Sequence, residues 1–369
     1  MTSVLLIPIR KPWRNMATSK DLFFSILREA LWQRGENLPK TLSKETGESL
    51  LDLAEQQTVT GMIADVVLHN GVELPEDAYY DMVGIHIQME DRNRLVNNGV
   101  GELVELLDGR NIDYVMVKGQ TVASYYPNPM MRVPGDIDYY CDEENFQRSV
   151  QAVKDAWNVE FEMNNSDKHV HYNYKDIAYE GHFALVSLYN KKRNDYWQQL
   201  LDNDEGTTAN VEKCSVKTLS PTLHVLYIFL HLYHHLLALG IGLRQFCDMA
   251  VTLHYAKDDI DMDALRGHLQ AFGMERAYRA CGSILVDYLG LPEKELGYTL
   301  LDSDRRYGKR ILDVVFYRGN MGHSNKRNGF KGWKHKVEAA AIKLSHFVKF
   351  APLAPDYSCC WLWREVKKI

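Results

Sequence analysis

The chain has 369 residues, 46% of them hydrophobic and 25% charged, and a formal net charge of -6. That composition supports a sizeable core in two or three lobes and excludes a disordered polyelectrolyte. No apolar run reaches spanning length, and residues 4–7 are too short for a signal segment, so a cytoplasmic protein without a transmembrane segment is expected.

Before residue 110 the pattern is helical. Residues 21–32, 47–69 and 76–107 repeat apolar side chains at helical spacing, with Gly71 and Pro75 as breaks. Ile112, Tyr114, Val115, Met116 and Val117 then make a short β-rich run ending at Lys118-Gly119, which reads as a buried strand entering a tight turn. Residues 121–126 leave room for a turn or two of helix before Pro127 and Pro129. Pro134-Gly135 resets the chain ahead of a second strand.

On that second strand Asp136 and Asp138 alternate with Ile137 and Tyr139, so the carboxylates share one face and the apolar pair the other. Like charges so close are costly unless a cation lies between them, and hard oxygen ligands select Mg²⁺ or Mn²⁺. Gly119 and the amides opening the short helix suit a phosphate, which Lys118 or Arg132 could neutralise. A bare Asp-x-Asp is a common polar turn, and it is this setting that points to metal-dependent phosphoryl transfer.

The run KGQTVASYYPNPMMRVPGDIDYY resembles the signature of the uncharacterised nucleotidyltransferase family of the DNA polymerase β-like superfamily, where Lys-Gly replaces the usual Gly-Ser before Asp-x-Asp. The resemblance implies transfer of a nucleoside monophosphate from an NTP to an acceptor hydroxyl or phosphate. It further implies two metal ions held by three carboxylates, with Lys118 and Gly119 in the nucleotide-binding turn and Asp136 and Asp138 as metal ligands.

The third carboxylate has to come from another strand. Residues 168–186 read as a hairpin turning at Lys175-Asp176, on whose second arm Ala178, Glu180 and His182 share a face opposite Ile177, Tyr179, Gly181 and Phe183. Glu180 is the candidate, with Glu162, Asp167 and Asp176 as competitors. It matches the family's acidic-x-His strand, with His182 following it, although Gly181 stands where a bulkier residue is usual.

Ser220-Pro221 is a cap and helix start, and the helix runs to Leu239 before Gly240. It carries His224, His231, His234 and His235, and a further helix begins near Leu243 with Arg244 and Asp248. The segment HLYHHLLALGIGLRQFCDMA resembles the family's H-x-x-x-H followed by an Arg-x-x-x-Asp helix. That makes His231, His235, Arg244 and Asp248 secondary site residues, for orienting phosphate or acceptor. Alternatively the histidines satisfy local hydrogen bonds in a buried helix, and Arg244 and Asp248, four apart, pair with each other.

Residues 304–349 hold 12 Lys plus Arg against 3 Asp plus Glu, which suits an anionic partner or a solvated face. Within them Trp333, Val337, Ala341, Leu344 and Val348 form an apolar stripe read as core-facing rather than as a membrane anchor. Six cysteines without C-x-x-C spacing read as reduced thiols, and no Rossmann, Walker, zincin or hydrolase motif is complete.

The expected fold is α+β, mostly helical, with a small polymerase β-like mixed sheet between helical lobes. It would comprise an N-terminal helical region over 1–98, the α/β core over 99–215 and a C-terminal helical region over 216–369. The expected function is a nucleotidyltransferase using Mg²⁺ or Mn²⁺ and an NTP, with a small-molecule acceptor favoured over RNA or protein. The alternatives are a non-catalytic nucleotide-binding protein with an incomplete carboxylate triad, and a metal-dependent phosphotransferase.

Overall fold

Residues 16–161, 169–238, 240–319 and 333–367 are described in the computed structural model, with side chains except at 16–19, 333–339 and 365–367. The chain opens with α1 (Met16–Trp32), α2 (Lys44–Gln57), α3 (Thr60–His69) and the 34-residue α4 (Glu76–Gly109). The periodic stretch 47–69 is therefore two helices. Thr58 enters the left-handed region (φ 55) and closes α2 by donating its N–H to Ala54 and Glu55 carbonyls, so the apolar period continues while the helix does not.

Among the described residues, six strands form one mixed sheet. They are β1 (Val115–Val117), β2 (Ile137–Tyr140), β3 (His169–Tyr174), β4 (Ile177–His182), β5 (Thr207–Val211) and β6 (Cys214–Thr218), ordered β3-β4-β2-β1-β6-β5. Strand β2 runs antiparallel to β1 and parallel to β4, while β1 runs parallel to β6. The β3–β4 hairpin turns at Lys175 (φ 49) and Asp176 (φ 60), where the sequence puts it. The β5–β6 hairpin and the helices α6 (Glu143–Trp157) and α7 (Lys191–Asp202) are additions to the sequence reading. Helix α4 runs unbroken past residue 98, and β6 runs past residue 215.

One face of the sheet is closed by α4 and α6. Val96, Val100 and Leu103 with Phe146 and Val153 meet Met116, Ile137, Tyr139 and Tyr179, the apolar half of each alternating strand. From the opposite face Val117 and Tyr140 join a larger core built on α8 (Pro221–Ala238) and α9 (Leu243–Tyr255). Polar residues of β2 and β4 thus face the histidine-bearing helix α8. This is the α+β, mostly helical fold with a mixed sheet core that the sequence leads one to expect.

Helices α10 (Met262–Phe272), α11 (Glu275–Asp287), α12 (Asp302–Arg318), α13 (Trp333–Phe350) and α14 (Pro355–Lys367) follow. The stripe on α13 is a correction to the sequence reading. His346 and Phe350 are the buried residues, and Tyr233 of α8 donates its hydroxyl to the Phe350 carbonyl at 3.0 Å. Ala341 is exposed, and Leu344 and Val348 are 53% and 67% exposed, so that face points outward. The side chains of Trp333 and Val337, and residues 320–332 of the basic stretch, lie outside the described residues. Among those residues no helix is long and apolar enough to cross a membrane, and all six cysteines are free.

Candidate active site

Strand β1 ends in a strained turn. Lys118 has φ 56 and ψ -148, a region that suits glycine, and Gly119 follows at φ 46 to open α5 (Gly119–Ala123). The turn is held from both sides. Lys118 donates its backbone N–H to His224 Nε2 at 3.3 Å, and Thr121 Oγ1 donates to the Lys118 carbonyl at 2.7 Å. Burial keeps His224 neutral, with its pKa lowered to about 4, so its Nε2 stays available as the acceptor.

The loop from Tyr126 to Asp136 is fixed by a buried ion pair. Arg132 Nε and Nη2 donate to Asp248 Oδ1 and Oδ2 at 2.7 and 2.8 Å, and Tyr126 Oη donates to Asp248 Oδ1 at 2.7 Å. Asn93 of α4 donates to the Met130 and Arg132 carbonyls, and Arg244 donates to the Val133 carbonyl at 2.9 Å. Two sequence expectations change here. Arg132 is 4% exposed with its fork spent on Asp248, so it anchors the loop rather than reaching for a phosphate. Asp248 pairs with Arg132 rather than with Arg244 four residues before it.

Beyond the loop, β2 brings the aspartates to the sheet end where β1 stops. Asp138 is the register partner of Val117 on one side and of Glu180 on the other. Its Oδ1 lies 3.0 Å from Lys118 Nζ and 2.9 Å from His182 Nε2, which is 3.4 Å from Glu180 Oε2. Lys118 Nζ also lies 3.2 Å from His231 Nε2, itself 3.1 Å from His235 Nε2. The structure thus brings Lys118, Asp138, Glu180, His182, His231 and His235 into one connected chain of polar contacts. Asp136 stands exposed at its edge.

Gly181 is explained by packing. A Cβ there would lie 2.6 Å from Tyr139 Oη, so the ring beneath β4 excludes any larger residue between Glu180 and His182. Asp176 sits in the exposed hairpin turn, and Glu162 and Asp167 lie outside the described residues.

The electrostatics divide the carboxylates. Burial disfavours ionised Asp138, but Lys118 and His182 outweigh it and hold its pKa down to about 2. Glu180 is likewise lowered, burial being outweighed mainly by its hydrogen bond from His182. Asp136, exposed at the rim, is pushed above the usual carboxylate range by the partial desolvation of its carboxyl group and then by Asp138 and Glu180. Lys118 and His182 are both raised, because burial is outweighed by their acidic neighbours. Burial, followed by the Lys118 charge, keeps His231 and His235 neutral, the latter lowered to about 4.

This donor set suits a divalent cation, since it offers three carboxylates and adjacent imidazoles on one polar face. At this end of the sheet the ligand atoms that gather within 4.8 Å of one another are those of His169, Glu180 and His182. Asp136, Asp138 and Glu180 do not form so tight a trio. His169 is missed by the sequence reading, and His224 is named there as one histidine of the helix but not singled out for the site. The H-x-H of His169 and His171, opposite the E-x-H of Glu180 and His182, was the signal for the first; His224 had only its place seven residues before His231.

Residues 43–290 match the family model described as an uncharacterised nucleotidyltransferase. No curated protein matches the chain. The chain is also similar to a solved structure, an antigenic nucleotidyltransferase-like protein from Paracoccidioides brasiliensis. The two are 17% identical with a TM-score of 0.34, over 53% of this chain and 92% of that one, a likeness too distant to carry an argument.

Proposed function

The chain belongs to the uncharacterised nucleotidyltransferase family, and on that premise we propose that it moves a nucleoside monophosphate from an NTP to an acceptor hydroxyl or phosphate and releases pyrophosphate. The observation that carries this reading is the register of Asp138 against Glu180, with Lys118 3.0 Å from Asp138 and Asp136 open at the edge. Asp136, Asp138 and Glu180 would hold Mg²⁺ or Mn²⁺, two ions in the full scheme. Cations bound there would neutralise charge on the α-phosphate and the leaving pyrophosphate.

The protein's own groups position and exclude. Gly119 leaves the turn open, since a Cβ there would meet only the Asp136 carbonyl, at 3.5 Å, and that opening suits the triphosphate. His182 orients Asp138 by hydrogen bonding, and His231 with His235 orients Lys118. Asp136, exposed and the less acidic aspartate, suits accepting the proton of the incoming hydroxyl. We favour a small hydroxylated or phosphorylated acceptor over RNA or protein.

A second reading has a specific observation in its favour. Lys118 already neutralises Asp138, and the carboxylate trio is not tightly gathered, which suits a protein that binds nucleotide without turning it over. Each α-labelled NTP, incubated with the full chain, Mg²⁺ or Mn²⁺ and a metabolite extract, separates the two. Transfer predicts α-label on a new product with pyrophosphate released, lost in Asp136→Ala and Asp138→Ala. Nucleotide binding without a labelled product, or free phosphate as the sole product, overturns it.

A further inference from the structure

The polar face of the sheet extends past the aspartates into imidazoles. His169 opens β3 and His182 closes β4 as its register partner, and Glu180 precedes His182 on the same face. One ligand atom from each of the three lies within 4.8 Å of the others, with His182 buried and the other two half-buried. We propose that His169, Glu180 and His182 form a second cation position, sharing Glu180 with the Asp136 and Asp138 position, and that it takes a first-row transition cation such as Zn²⁺ or Co²⁺ in preference to Mg²⁺.

The preference follows from the donors. Two imidazoles and one carboxylate suit borderline cations, whereas Mg²⁺ demands oxygen ligands in near-octahedral geometry and gives up its waters reluctantly. Ligands bound at about 2.0–2.2 Å around one ion stand roughly 3–3.5 Å apart, and His182 Nε2 lies 3.4 Å from Glu180 Oε2. Three protein ligands leave coordination open, as a position that meets a substrate oxygen must. His182 Nε2 lies 2.9 Å from Asp138 Oδ1, so a cation bound at that nitrogen would replace this hydrogen bond and leave Asp138 to the neighbouring position. The proposal deepens the transferase reading and rests on it for the role of the aspartates. The site would then hold two unlike ions, one of which Mg²⁺ does not replace.

A second His–carboxylate cluster, Asp65 and His69 of α3 with His86 of α4, has ligand atoms equally close together, so it must be silenced in any test. The experiment is a Co²⁺ and Zn²⁺ titration of the metal-stripped full chain carrying His69→Ala and His86→Ala, followed by visible absorbance and calorimetry in excess Mg²⁺. One equivalent of Co²⁺ is expected to bind, to persist in Asp136→Asn, and to weaken at least about tenfold in His169→Ala and Glu180→Gln. His169→Cys keeps a zinc ligand and is expected to restore Zn²⁺ binding, which guards against a mere folding defect. Unchanged Co²⁺ affinity in His169→Ala, or no Co²⁺ bound at all, overturns the proposal. If labelled transfer runs on Mg²⁺ alone and His169→Ala alters neither metal content nor rate, the inference falls and the transferase reading stands. If no metal supports transfer while Co²⁺ binds through His169, the transferase reading falls instead.

Discussion

The Lys118 ammonium lies 3.0 Å from Asp138 Oδ1, on a residue whose backbone sits at φ 56 and ψ -148. The chain accepts a conformation costly for any side-chain-bearing residue in order to put a buried cation against a buried carboxylate.

Strain and charge at this position separate in two variants. Lys118→Ala and Lys118→Gly both remove the ammonium and leave Asp138 with His182 as its remaining partner, so both are expected to be destabilised by about 3 kcal/mol. Only glycine also relieves the backbone. Gly should therefore exceed Ala in stability by about 1 kcal/mol, the reverse of their order in ordinary helices and strands. Urea unfolding of the two proteins checks this, and equal midpoints would show that the turn stores no strain.

Arg132 and Asp248 are expected to matter for folding before chemistry. Arg132→Met or Asp248→Leu leaves the other group buried and uncompensated, at a cost of about 3–5 kcal/mol. The double variant Arg132→Met/Asp248→Leu removes both charges and should recover part of that loss. A double-mutant cycle on thermal midpoints measures the coupling. Additive losses would mean that the pair does not clamp the loop ahead of Asp136.

Acid should loosen the α8 side of the site. His224 and His235 have folded pKa values lowered from 6.5 to about 4. In the unfolded chain they take up protons near 6.5, and in the fold only near 4. Their contribution is therefore complete above 6.5 and is lost as pH falls from 6.5 towards 4, by up to about 1.4 kcal/mol per pH unit for each. His182 runs the other way. Its raised pKa gives stability present below 6.5 and lost as pH rises through the folded value. The melting temperature is expected to fall between about pH 7 and about pH 5. His224→Gln, which keeps an acceptor for the Lys118 N–H, should flatten that fall.

The parts legible in the sequence were those that local chemistry fixes. Alternation in residues 136–139 and 177–183 gave the two faces correctly, and Ser220-Pro221 marked the start of α8. Pairing across the sheet needed the fold. Nothing local says that Arg132 meets Asp248 across 116 residues, so a basic side chain near an anion site reads as a phosphate ligand. The stripe 341, 344 and 348 failed for a related reason, because helical periodicity marks a face without saying which face the neighbours cover. Thr207–Val211 alternates weakly and is exposed at three of its five positions, so little hydrophobic signal marks that edge strand.

Asp136 offers a test in which stability and activity move apart. Partial desolvation and the nearby Asp138 and Glu180 raise its pKa, so at neutral pH its ionised carboxylate works against the fold. Without metal, Asp136→Asn removes that repulsion and should stabilise the protein modestly, by about 0.5 kcal/mol given the residue's exposure. Divalent cation should invert the order, because the wild type gains binding energy that the variant lacks. Transfer by the variant should drop by about 10³-fold or more if Asp136 holds metal or accepts the proton. Melting curves with and without Mn²⁺, alongside α-labelled NTP assays, measure both quantities. A variant less stable than wild type without metal would show that Asp136 is a structural partner rather than an unneutralised charge awaiting a cation.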